Sequence, residues 1–414
     1  VSSAKDQVVV VGGGVIGLCA AYYLLRSGRE VLVLEREAEG GGSCSVGNAG
    51  MVVPSHFVPL AAPGVVTQGL KWLLDAESPF YVRPRLSLEL ARWGWLFLRH
   101  ANEKHVRDSA RLLRDLNMTS RGLFAELEAE GSFGLVQRGL LMLCETERLL
   151  EEEAELAEKG REMGLQAEVC EVARLRELEP GLEMKVVGGI LHGDDCHLDP
   201  VRFLEELRRR IGERGGVIRY GERVVGVEDG EVVLSGGERV SGGAVVLAGG
   251  AWTPEVARSL GLKLPMQAGK GYSLTLREPA RMPRLCSILG EGKVAVTPMG
   301  GRLRFGGTME IGGNSLEVAP RRVEGIIKSA CRVLPQFAPE DFAGVEPWAG
   351  LRPCSPDGLP YLGKVAGRGE VYVATGHSMM GLSLGPVTGE IVAEMVCGEE
   401  TCVEIGKLGV GRFG

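Results

Sequence analysis

The run Val8-Val9-Val10-Val11 leads directly into Gly12-Gly13-Gly14-Val15-Ile16-Gly17, and this junction restricts the fold more than any other feature of the chain. A continuous β-branched run suits a parallel strand buried on both faces. The apolar positions Val15, Leu18, Ala21, Tyr22 and Leu25 then follow a helical period, which stops at Gly28. A second strand, Val31 to Leu34, ends in Glu35. The glycine spacing fits GxGxxG at Gly12, Gly14 and Gly17. Gly12 permits a tight turn, Gly14 lets a pyrophosphate approach the backbone, and Gly17 lets the helix pack on the strand. The N–H groups of Val15 and Ile16 open the helix, whose positive end faces phosphate. Glu35 stands 18 residues after Gly17, where a carboxylate takes ribose hydroxyls and disfavours a 2′-phosphate. The expected ligand is FAD or NAD.

Two further regions favour FAD. After Glu35 and Arg36 comes a stretch of small residues that includes Ser43, Asn48, Ala49, Gly50 and Met51. Such a loop can lie along an extended dinucleotide and bring backbone groups to a flavin ring. Near the other end, the strand Val371 to Ala374 runs into a loop containing Gly376, His377, Met379, Met380, Gly381 and Leu382. A helix begins near Gly385-Pro386, with proline at a first-turn position. Its positive end would suit the edge of a flavin that becomes negative on reduction. The strand Val245 to Ala248 likewise ends in Gly249-Gly250, which reads as a plain turn or as a second cofactor contact.

Composition limits the alternatives. At 414 residues the chain has room for about two domains. With 44% hydrophobic and 24% charged residues it is an ordinary globular chain rather than a disordered one. A net charge of −7 argues against nucleic acid as a partner. The ten cysteines form no CxxC and no zinc spacing, so no metal site is expected and a reduced, cytoplasmic chain is. Val1 to Gln7 is too short and polar for a signal peptide. The helical stretch Leu90 to Arg99 holds Trp93, Trp95 and Phe97. It reads either as a membrane-interface contact or as a buried helix.

Five segments resemble a known family: VVVVGGGVIGLCAAYYL with LVLE, SVGNAGMVVPSHFVPLAAPG, LKWLLDAESPFYVRPR, WAGLRPCSPDGLPYLG and ATGHSMMGLSLGPVTGEIVAE. They resemble the D-amino-acid oxidase superfamily of glutathione-reductase-type flavoproteins, and most of all the bacterial FAD-dependent D-amino-acid dehydrogenases. The resemblance implies an α/β plus α+β chain. A Rossmann-type FAD-binding domain would comprise residues 1–85, 165–262 and 345–414. A discontinuous substrate domain, built on an antiparallel sheet and helices, would comprise 86–164 and 263–344. Val224 would lie near the adenine, and Gly249 and Gly250 near the phosphates.

The implied reaction is oxidative deamination of a free D-amino acid. Electrons would pass to a quinone at the inner face of the membrane, with peripheral membrane contact. A proline or hydroxyproline dehydrogenase and a glycine or sarcosine-type oxidase using oxygen are the related alternatives. Arg352 is the expected anchor for the substrate carboxylate, because a planar guanidinium binds carboxylate through two parallel hydrogen bonds. Tyr272 is a candidate second donor, and His56 a candidate pocket residue. The cysteine at 354 does not match the spacing of a covalent flavin attachment, so non-covalent FAD is expected.

Overall fold

The computed structural model describes residues 7–64, 79–83 and 85–413. Val1 to Asp6, residues 65–78 and Pro84 lie outside the described residues, and with them part of the LKWLLDAESPFYVRPR segment.

A six-stranded sheet carries the glycine motif. Its order is Tyr361–Lys364, Val371–Thr375, Ala244–Leu247, Gln7–Val11, Glu30–Glu35 and Val217–Tyr220. All neighbours are parallel except the edge pair of Tyr361–Lys364 with Val371–Thr375. The valine run is explained by its two faces. Val8 and Val10 enter one core, with the helices Val15–Arg26, Pro200–Glu213 and Gly385–Cys397. Val9 and Val11 enter another, with the small sheet of Val224–Glu228, Glu231–Leu234 and Arg239–Val240. Polar alternation is impossible when both faces are covered.

The second sheet has nine strands. Its main path is Trp348–Cys354, Gln267–Arg277, Arg302–Ile311, Val294–Met299, Cys286–Leu289, Leu140–Cys144, Gly188–His192 and Ala167–Glu171. Phe80–Val82 adds to Arg302–Ile311. One face packs on the helix Pro320–Val333 through Leu274, Phe305, Ile326 and Ala330. The other carries Ile288 and Ala295 against Ala49, Met51 and Val53 of the first half of the chain. A cavity runs along this second face.

Membership of the two halves departs from the sequence expectation. Ala167–Glu171, Gly188–His192 and Trp348–Cys354, expected with the FAD-binding part, extend the large sheet instead. The helix Glu103–Glu130, expected with the substrate part, buries Leu113, Leu116, Phe124 and Leu127 in the same core as Val8 and Leu18. Its apolar stripe shows only that it must cover something. The helix Pro320–Val333 was not anticipated.

The tryptophan-rich helix, Leu88–His100, is buried along one face and exposed along the other. Trp93 and Phe97 are buried, and the Trp93 indole N–H donates to the Cys354 carbonyl at 2.9 Å. Trp95 and Leu98 are exposed, and Arg99 stacks on Trp95. Among the described residues no helix is long and apolar enough to cross a membrane.

Candidate functional site

The glycine turn is built as the sequence requires. Gly12 has φ +110°, a left-handed conformation that favours glycine. A Cβ on Gly17 would sit 1.9 Å from the Gly12 carbonyl oxygen, so only glycine lets the helix start this close to the strand. Gly14 differs: a Cβ there would meet nothing nearer than Ser45 Oγ at 3.5 Å. The space beside Gly14 is open cavity. Ser45 Oγ accepts from Val15 N–H at 3.0 Å, and Glu35 accepts from Gly13 N–H at 2.6 Å and from Glu37 N–H at 2.8 Å. These bonds fix the carboxylate at the end of its strand. Arg36 stacks 3.4 Å over the Trp252 ring and forms a flat platform beside it.

The cavity, about 920 Å³, passes over this turn and continues onto the large sheet. Gly12, Gly14, Val15, Ile16, Glu35 and Arg36 line it first. Ser43, Asn48, Ala49 and Met51 line it as well, as do Val224, Gly249 and Gly250, and Gly249 lies beside Gly12. Met379, Met380, Gly381 and Leu382 close it from the C-terminal side. The small-residue loop is held in shape. Asn48 Oδ1 accepts from Gly50 N–H at 2.8 Å, and the buried Arg304 donates to the carbonyls of Val46 at 2.9 Å and Asn48 at 2.7 Å.

Three expected cofactor residues do not face the cavity. Gly17 abuts the Gly12 carbonyl. Gly50 turns with φ +75° against the Leu198 carbonyl, and Gly376 turns with φ +80° against the Tyr361 ring. All three shape the wall from behind. His377 lines the cavity, but its Nε2 is tied to Thr388 Oγ1 at 3.0 Å, and burial lowers its pKa to about 3. The ring is therefore neutral.

On the sheet side, Arg352 lines the cavity as expected. Its guanidinium donates to the Thr308 carbonyl at 2.6 Å and pairs with no carboxylate among the described residues. Burial lowers its pKa from the usual arginine value. A Cβ on Gly271 would lie 2.2–2.3 Å from the guanidinium atoms, so the glycine supplies the room for the arginine head.

Tyr272 departs from its expected role. It borders the cavity, but its hydroxyl donates to Glu310 at 2.8 Å, and its ring packs with Leu274 and Phe305. A hydroxyl committed to a buried carboxylate is not free to bind another. His56 lines the cavity too. Its Nδ1 lies 3.0 Å from Ser55 Oγ, and burial lowers its pKa to about 4.

Sequence reasoning missed Ser45, Trp252, Arg304 and the far wall of the cavity. That wall holds Glu153, His192 and Lys293, with Asp195 behind it. Asp357, in the SPDG motif, is structural: Arg412 donates to it twice, at 2.8 and 3.0 Å.

The cradle fits a dinucleotide on its own geometry. It has open space at Gly14, a fixed acid at Glu35, an aromatic platform at Trp252 and a long cavity leading to a cation. Comparison with known proteins gives the same assignment. Residues 7–395 match the family model described as FAD dependent oxidoreductase. The chain is 36% identical to a D-amino acid dehydrogenase of Methylobacterium nodulans, covering 98% of this chain and 99% of the relative. It is 31% identical to one of Rhizobium rhizogenes, covering 99% and 100%. Among solved structures, it is similar to glycine oxidase from Geobacillus kaustophilus, with a TM-score of 0.77, 24% identity, and coverage of 99% and 100%. It is also similar to L-proline dehydrogenase from P. horikoshii, with a TM-score of 0.75, 20% identity, and coverage of 99% and 98%.

Proposed function

Because the chain belongs to the FAD-dependent oxidoreductase family, we propose that it oxidises free D-amino acids to imino acids and passes the electrons to an acceptor other than oxygen. The observation that carries this reading is Arg352, a cation in the wall of the cofactor cavity with no carboxylate partner among the described residues. A desolvated guanidinium of this kind is completed by an anionic ligand. Bound FAD would supply the hydride-accepting chemistry. The protein's part is to hold the substrate carboxylate at Arg352 and so fix where Cα lies. The loop from Val46 to Met51, pinned by Arg304, forms the wall on the cofactor side. The preference for the D enantiomer is supported by the full-length similarity to D-amino acid dehydrogenases.

We place the enzyme in the cytoplasm, touching the inner face of the membrane to reach a quinone. The exposed Leu86, Leu88, Trp95 and Leu98 support that contact.

Anaerobic mixing with D-amino acids is expected to bleach the flavin absorbance, and the L enantiomers are expected to leave it yellow. Equal bleaching by both would overturn the stereochemical reading, and fast peroxide formation in air would overturn the choice of acceptor.

The cofactor is held without a covalent bond in this reading. Cys354 is buried and points toward Met309 Sδ at 4.0 Å rather than into the cavity. Cys44 does line the cavity, but burial pushes its thiol up to about 11, so it is not a thiolate. Acid precipitation should leave all yellow colour in the supernatant and a white pellet.

A further inference from the structure

A chain of hydrogen bonds leads from the cavity into the protein interior. Ser55 Oγ lies 2.6 Å from Asp195 Oδ2 and 3.0 Å from His56 Nδ1, and Ser55 N–H donates to Asp195 Oδ1 at 3.0 Å. Asp195 is 1% exposed. His56 lines the cavity, and Nδ1 is already engaged, which leaves Nε2 for a ligand.

The donor count sets the direction of the chain. An ionised carboxylate only accepts, and a serine hydroxyl has one proton. With Asp195 ionised, that proton goes to Asp195. His56 Nδ1 must then carry the hydrogen that reaches Ser55, and Nε2 presents a lone pair to the cavity. With Asp195 protonated on Oδ2, both side-chain bonds reverse while the Ser55 N–H still donates to Oδ1, and Nε2–H faces the cavity as a donor.

We propose that Asp195, Ser55 and His56 form a proton relay that takes the proton from the substrate's ammonium group before hydride transfer. The relay rests on the D-amino-acid reading for its substrate and on the hydrogen bonds for its direction. An N–H bond of the ammonium breaks and His56 Nε2–H forms. Nδ1–H passes to Ser55 Oγ, and the serine proton passes to Asp195 Oδ2. The net change is one proton moved from the amine to Asp195. The imidazole exchanges one neutral tautomer for the other and never carries charge. After the product leaves, the proton returns along the same chain to water in the cavity.

The surroundings suit this exchange. Burial, with His192 and Lys293 nearby, holds His56 down to about 4, so a charged imidazole is disfavoured. Burial raises Asp195 to about 7 against the lowering bonds from Ser55, with Asp194 raising it further and Arg121 lowering it. Cys196 and Cys286 are also close to Asp195, both held as neutral thiols by burial. Glu153, on the same cavity wall as Lys293, is raised by burial.

Nitrogen-15 spectra of histidine-labelled holoenzyme test the relay directly, with the His56 signals assigned by their loss in His56→Gln. The expected result is a His56 protonated on Nδ1 at pH 8.5 and on Nε2 at pH 5.5. Asp195→Asn, whose amide donates to Ser55, should hold it on Nε2 at both. In dye-coupled assays, wild-type kcat/KM should rise with pH through an inflection near 7. Ser55→Ala should lose about 100-fold at pH 8.5, Ser55→Thr should keep most activity, and both should keep their flavin. An Nε2-protonated His56 at pH 8.5 in the wild type would overturn the relay. So would a Ser55→Ala variant with unchanged kcat/KM and pH profile. If no D-amino acid is oxidised by the wild type, the functional reading falls, while the tautomer spectra still decide the relay.

Discussion

Arg352→Ala is expected to weaken substrate binding by about 30-fold or more while the flavin content stays at the wild-type level. Removing one partner of a desolvated, hydrogen-bonded charge pair costs about 2–5 kcal/mol, and each ~1.4 kcal/mol is a factor of ten. Arg352→Lys keeps the charge and loses the fork, so it should fall between alanine and wild type. Simple carboxylates should inhibit the wild type competitively and the alanine variant hardly at all. Gly271→Ala gives an independent check. Its methyl group would occupy the place of the guanidinium, 2.2 Å away, and push the arginine head aside without removing it. KM should rise in that variant as well. A wild-type KM and inhibitor affinity in Arg352→Ala, with only a lower melting temperature, would show that the residue merely supports the Thr308 carbonyl.

Gly14→Val is expected to give a folded protein without flavin. The backbone at Gly14 is extended, with φ −76° and ψ 178°, a conformation that valine adopts freely. Its Cβ would enter open cavity rather than protein. The side chain would therefore exclude a pyrophosphate without disturbing the fold. Gly17→Val is the contrasting variant, because its Cβ would overlap the Gly12 carbonyl oxygen. It should fail to accumulate as soluble protein. Circular dichroism and flavin absorbance separate the two outcomes. A yellow Gly14→Val protein would remove the phosphate contact from that position.

These two glycines also show which parts of the molecule were legible in the sequence. The turn, its helix and Glu35 lie within thirty residues of one another, and each obeys a local rule of backbone or periodicity. The cofactor-side wall was therefore readable residue by residue. Asp195 was not. It sits in Gly193-Asp194-Asp195, which reads as a turn, and its partner Ser55 is 140 positions away. Tyr272 was assigned by residue type alone, and the carboxylate that takes its hydroxyl, Glu310, lies 38 positions further on. The division of strands between the two sheets failed for a related reason. Ala167–Glu171 and Gly188–His192 have ordinary strand character, and only pairing across the chain decides which sheet they join.

The position of Gln7–Val11 in the middle of its sheet has a consequence for biogenesis. One of its neighbours is Ala244–Leu247, and beyond that lies Val371–Thr375. At ~5–20 residues per second, a ribosome finishes that last strand on the order of 20–70 s after the first. Until Ala244–Leu247 is made the valine run has an unpaired edge, and for the whole interval the glycine turn lacks the loop at Met379–Leu382 that lines the same cavity. A nascent chain that stops short of this loop has an incomplete cofactor cavity. Cofactor loading is therefore expected only after this loop is made, and a cell short of riboflavin is expected to accumulate colourless protein.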